Sequence, residues 1–184
     1  MTSQVPFENA VDLLDNDHKL VKSMFIAYGA LVQDGAPGDA RLQLARKICA
    51  ALTVHARIEE EIFYPAVREA IGDDALMDEA LEQHAQAKEM IASILDMAAG
   101  DEALDDTVAS LGEAIDEHVL EEREQIFLRA QLAALDLRAL AVPLFQRQQA
   151  LKAEPPPGAR AARASASTGR SASTKAARGK KVAA

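Results

Sequence analysis

Apolar residues return along the first 150 positions at intervals of three and four, the spacing of one face of an α-helix, and no segment sustains the two-residue alternation of a strand. Four stripes stand out: Val11, Leu14, Val21 and Phe25; Leu44, Ile48, Leu52 and Ile62; Met77, Leu81, Ile91 and Leu95; and Leu104, Leu111, Ile115 and Ile126. Between them lie Asp34-Gly35-Ala36-Pro37-Gly38, Gly72-Asp73-Asp74 and Ala99-Gly100-Asp101, each pairing a glycine suited to end one helix with an aspartate suited to cap the next. The pattern predicts helices at about 8–33, 39–71, 74–99 and 102–132, and a fifth at about 136–153, kinked near Pro143. Connections this short make neighbours antiparallel, so the expected fold is all-α, an up-down-up-down four-helix bundle with a C-terminal extra helix. The stripes are its expected core, packed by aliphatic side chains and alanine, because the chain has no Trp and few aromatic residues.

Composition divides the chain in two. The helical pattern stops at Glu154-Pro155-Pro156-Pro157-Gly158, and the remaining residues are rich in Ala, Ser, Lys and Arg with no apolar periodicity. Residues 1–153 are therefore expected to form the bundle with its extra helix, and 154–184 a disordered basic tail, too poor in apolar surface to offset chain entropy. Residues 151–184 carry eight basic residues and one acidic, net plus 7, which leaves minus 16 on residues 1–150 of the total of minus 9. Such a tail suits weak, non-specific contact with nucleic acid or an anionic surface, so a nucleic-acid-associated metal or stress protein is the alternative reading of function. One cysteine rules out a disulfide framework within the chain, no apolar run approaches the ~20 residues of a membrane span, and the first residues lack the basic and apolar regions of a signal peptide. The expected location is the cytoplasm.

Histidine is the informative residue. The chain has only four, His18, His55, His84 and His118, and each predicted helix receives one. Each lies within the apolar stripe of its helix, so all four rings are expected to face inward. Measured from the predicted helix ends, their heights agree to within one or two residues, roughly 2–3 Å at ~1.5 Å of rise per residue. Two begin the pattern His-x-x-x-Glu, as His55/Glu59 and His118/Glu122, and a four-residue step keeps both side chains on one helix face. Four imidazoles and two carboxylates buried in an aliphatic core would be very costly without compensation, whereas metal ions neutralise the acids and satisfy the nitrogens. Six donors exceed a closed tetrahedral site but suit two metals bridged by Glu59 and Glu122, two histidines to each and coordination positions left open. Mixed imidazole and carboxylate ligation suits iron, with manganese or zinc as alternatives, and the open positions admit dioxygen, peroxide, nitric oxide or water.

The ordered set His18, His55/Glu59, His84 and His118/Glu122 resembles the hemerythrin-like HHE cation-binding domains over roughly residues 8–150. Asp15-Asn16-Asp17-His18 and His55-Ala56-Arg57-Ile58-Glu59-Glu60-Glu61-Ile62-Phe63-Tyr64-Pro65 are similar to the family's typical segments. The resemblance implies a non-haem, carboxylate-bridged di-iron centre held by those six residues, in a protein that binds, senses or consumes a small oxidant. Oxygen-carrying members add a histidine four residues after that of the third helix and an aspartate five after that of the fourth, where this chain has Lys88 and Arg123. The resemblance therefore does not extend to reversible oxygen carriage, and peroxide-consuming, catalase-like activity is one of the activities it leaves open.

Several residues have plainer readings. Glu59-Glu60-Glu61 and Glu121-Glu122 lie in acidic runs that are ordinarily solvated, and only the four-residue register selects Glu59 and Glu122. Lys88 is expected to reach the surface, the alternative being an inward ammonium paired with a bridging carboxylate. Tyr64, nine residues past His55 and so about 180° around a regular helix, is expected to face away from the site. Tyr28 and Cys49 read as packing residues. No nucleophile triad, phosphate loop or dinucleotide fingerprint is present.

Overall fold

Asn9 opens the first helix: its side-chain oxygen accepts the backbone N–H of Asp12 at 3.0 Å, and α1 runs over Ala10–Gln33. The protein is seen in a computed structural model that describes residues 5–154. After the first connection α2 spans Gly38–Ile58. A Cβ at Gly38 would lie 2.7 Å from the backbone nitrogen of Gly100, so a glycine is what lets the first and third connections meet at one end of the bundle. α2 continues through a π-helical segment, Glu59–Phe63, into α3, Tyr64–Ile71. Gly72 ends it in the left-handed conformation at φ 66°, donating its N–H to the carbonyl of Arg68 at 3.0 Å. Asp73 then caps α4, Asp74–Asp96, by accepting the N–H of Leu76. The next rod has the same form as the second: α5, Leu104–Glu121, a π-helical segment at Glu122–Phe127, and α6, Leu128–Leu132. The last helix, α7, covers Leu137–Ala153 and runs through Pro143.

α1 packs on α2 and α5, and α4 on α5 and α2, which closes the four-membered ring of an up-down-up-down bundle. Its interior holds two apolar clusters. One contains Leu13, Leu14, Ile58, Phe63, Val67, Met77, Ile126 and Phe127; the other contains Val21, Ile48, Leu52, Ile91, Ile94 and Leu111. On every helix the histidine falls between the two: His18 between Leu14 and Val21, His55 between Leu52 and Ile58, His84 between Met77 and Ile91, His118 between Leu111 and Ile126. The polar residues thus form a layer across the middle of the core. α7 closes the end formed by the first cluster, burying Leu144 in it and setting Phe145 edge-on to Phe7 at 6.1 Å.

The expected stripes need two corrections. Leu81 and Leu95 are 37% and 46% exposed, and the buried face of α4 is Met77, Ala80, His84, Ala87, Ile91 and Ile94. The two leucines lie one residue, about 100°, to the side of that face, where sequence hydrophobicity drew the stripe towards leucine and away from alanine. Phe25, Leu44, Ile62 and Ile115 are half-buried at the edges of the clusters. Among the described residues there is no strand, and no helix is long and apolar enough to cross a membrane. The expected basic tail lies, apart from Glu154, outside the described residues.

Candidate metal centre

His18, His55, Glu59, His84, His118 and Glu122 are all buried and meet in the polar layer. Each imidazole turns its Nε2 inward. Nε2 of His18 lies 2.8 Å from that of His55, and Nε2 of His84 lies 3.2 Å from that of His118, so the rings form two pairs. Glu59 spans them: Oε1 is 3.1 Å from Nε2 of His55, and Oε2 is 3.4 Å from Nε2 of His84. Glu122 leans to the first pair, with Oε2 3.3 Å from Nε2 of His18. Two groups of donors result, His18/His55/Glu59/Glu122 and Glu59/His84/His118, each close enough to converge on one cation. Glu59 belongs to both groups and Glu122 to one, whereas spacing along the chain makes the two glutamates equivalent bridges.

The π-helical segments begin at the two glutamates, and they explain what the sequence concealed. An i→i+5 turn takes in an extra residue, which swings everything after it back by about 100°. Tyr64 is thereby brought round to the site face. Its hydroxyl donates to Oε1 of Glu122 at 3.3 Å and lies 3.3 Å from Nε2 of His84, so the expectation that it faces away is overturned. Phe127, nine residues past His118 as Tyr64 is nine past His55, stacks on the ring of His18 with centroids 5.9 Å apart. The two rods are therefore near-repeats of one another, and a single hydroxyl distinguishes their aromatic positions.

Outer partners fix three of the rings to differing degrees. Nδ1 of His84 donates to Oε1 of Glu60 at 2.8 Å, and Nδ1 of His118 to Oε1 of Gln83 at 2.6 Å, which leaves each Nε2 lone pair aimed inward. Asp17 stands 3.6 Å from Nδ1 of His55, beyond hydrogen-bond length, and is held by Gln148 of α7 at 2.6 Å. Lys88 is half exposed and donates to both oxygens of Glu60, so it reaches the surface and pairs with a carboxylate outside the inner six. Arg123 turns outward to Asp15. Neither Lys88 nor Arg123 adds a donor to the centre.

Electrostatically the layer is divided against itself. Burial pushes His18 down to about 3 and His118 down to about 4. Burial opposes the charging of His55 as well, but Glu59 and Asp17 outweigh it and hold that ring up at about 10; Glu59 and Glu60 do the same for His84 in direction. Despite burial, the charged His55 beside it keeps Glu59 well below the usual carboxylate range, while burial and then the Glu59 charge push Glu122 well above it. Both oxygens of Glu59, Oε2 of Glu122 and Nδ1 of His18 and His55 are buried without a hydrogen bond. Orphaned carboxylate oxygens crowded against imidazole nitrogens are poor packing for a core and a good fit for a divalent cation, which takes the place of the ring protons and accepts lone pairs from both.

Fold and site together define a class of protein: four antiparallel helices holding a buried His/Glu cation-binding layer. The sequence matches the hemerythrin HHE cation-binding domain family over residues 9–130, and the chain belongs to that family. A crystal structure of a hemerythrin HHE cation-binding domain-containing protein from Mycobacterium kansasii shares the fold, with a TM-score of 0.64 and 20% identity over 78% of this chain and 86% of that one. A search of curated proteins finds no significant match.

Proposed function

We propose that the chain is a cytoplasmic non-haem di-iron protein that binds, senses or consumes a small oxidant, with His18, His55, Glu59, His84, His118 and Glu122 as the metal-holding residues. The observation that carries this reading is Glu59, fully buried, with its two unbonded oxygens directed to different histidine pairs. In it His18, His55 and Glu122 hold one ion, His84 and His118 the other, and Glu59 both. Iron bound there supplies one-electron redox chemistry and exchangeable coordination positions. The protein contributes geometry: Glu60 and Gln83 orient two of the rings, Tyr64 donates to Oε1 of Glu122, and Phe63 and Phe127 exclude water on one side. Iron is favoured over manganese and zinc by the mixed imidazole and carboxylate set. The buried, unpaired Cys49, its thiol pushed up to about 11 by burial, suits a reducing compartment. Reversible oxygen carriage is disfavoured, because Lys88 and Arg123 occupy the two positions that complete the carrier's ligand set and both engage outer carboxylates.

The test is metal analysis with visible spectroscopy on protein reconstituted with iron, before and after peroxide and nitric oxide. About two irons per chain and a spectrum that responds to either oxidant are expected. Fewer than one iron per chain overturns the reading, and oxygen release on adding peroxide separates a catalase-like enzyme from a binder or sensor.

A further inference from the structure

The two sides of the polar layer are filled differently. Towards the first cluster Ile58, Phe63, Met77 and Ile126 are fully buried against the glutamates. Towards the second, the positions next to the histidines are small or β-branched, Val21, Ala56, Ala87 and Val119, and they leave a chamber of about 360 Å³. All four histidines line it, Leu52, Ile91 and Ile115 form its far wall, and it reaches a rim between α2 and α4 that includes Thr53, Arg57 and the Lys88–Glu60 pair.

Protein interiors hold few voids larger than a water molecule. A diatomic molecule or hydrogen peroxide needs about the ~30 Å³ of a water, roughly a tenth of this chamber, whose size falls in the range of sites for organic ligands, about 300–1,000 Å³. The wall chemistry narrows the occupant. The rim's polar groups are engaged, Lys88 by Glu60, Arg57 by Glu61 and the Thr53 hydroxyl by the carbonyl of Cys49. Inside, the wall is aliphatic apart from the imidazoles, so it suits an apolar body with its polar group at the histidine end. We propose that the chamber binds the apolar body of an organic hydroperoxide, with the peroxide group towards the His/Glu layer. This rests on the oxidant-binding reading above and narrows its ligand from hydrogen peroxide and diatomic gases to an alkyl or aryl hydroperoxide.

The probe is 2-phenyl-2-propanol, which has the body of cumene hydroperoxide without the O–O bond. The full-length chain is titrated calorimetrically, both iron-reconstituted and chelator-treated, beside Ala87→Phe and Ala56→Leu, which fill the chamber while leaving all six metal-holding residues in place. Saturable binding of one molecule per chain is expected, tighter than that of tert-butanol and at least ~tenfold weaker in either filled variant, with metal content unchanged. In the chelator-treated wild type, nuclear Overhauser contacts from the phenyl protons should reach the methyl groups of Ile91 and Ile115, a readout that stands if the variants misfold. No saturable binding, or contacts to surface residues alone, overturns the proposal, as do filled variants that fold and bind as the wild type does. Binding in a chain that takes up no iron keeps the chamber and removes the redox reading; iron uptake without binding does the reverse.

Discussion

Tyr64 and Phe127 occupy matching places in the two rods, and their one chemical difference is the hydroxyl that Tyr64 donates to Glu122. Tyr64→Phe makes the halves alike. It should keep the fold, changing unfolding free energy by about 1 kcal/mol, and lower metal affinity on the order of 10–100-fold by freeing the Glu122 carboxyl, as competition with a calibrated chelator would show. Glu60 and Lys88 form a graded pair. Glu60→Ala removes the acceptor that orients His84 and should lower metal affinity by a similar factor, whereas Lys88→Ala removes only a half-exposed ion pair worth about 0–1 kcal/mol. Equal losses in the two variants, in the same chelator assay, would mean that the ammonium and not the carboxylate sets the ring.

At the scale of elements, the π-helical segments decide which residues reach the centre. Deleting Glu61 removes the residue that the i→i+5 turn absorbs, so ordinary helical spacing keeps Phe63 and Tyr64 on the faces they occupy. The deletion should therefore cost little more in denaturant unfolding than the Glu61 ion pairs with Arg57 and Arg147, about 0–1 kcal/mol each, whereas a residue inserted at the same place should swing the fully buried Phe63 about 100° away and cost about 3 kcal/mol or more. The helices themselves were legible because a 3.6-residue period and glycine-aspartate punctuation survive any tertiary detail. The six inward residues were legible for the same reason, their heights following from rise per residue. What the sequence hides is the switch from i→i+4 to i→i+5 bonding, which leaves no residue signature and so misplaced Tyr64. It also hides Glu60, Gln83 and Asp17, whose roles depend on what the neighbouring helix brings alongside. Helix capping adds a pH dependence: the Arg129 side chain and the Leu76 N–H hold Asp73 below the usual carboxylate range. A depressed folded pKa gives stability that is complete above the ordinary value of about 4 and lost as pH falls through the lower folded one. Asp73→Asn, which still accepts the Leu76 N–H but has no charge to lose, should flatten the fall in melting temperature between about pH 4.5 and 2.5.

Across the whole molecule, two apolar clusters are separated by a layer of ionisable groups, and metals that join four helices would act as the fastener between them. Metal removal should therefore lower the melting temperature and reduce cooperativity, because ions that bind the folded chain alone add about 2.7 kcal/mol at a free concentration one hundred times Kd. Calorimetry of iron-loaded and chelator-treated protein measures both effects, and a melting temperature indifferent to metal would remove the fastener. The one-histidine-per-helix arrangement also sets a timetable for synthesis. His18, His55 and Glu59 are made early, but His118 and Glu122 come some sixty residues later, and Gln148, which holds Asp17 behind His55, later still. A ribosome-bound half-chain lacks one donor of each group, Glu122 of the first and His118 of the second, so metal capture is expected only after the bundle has closed, and a truncated product should take up little metal.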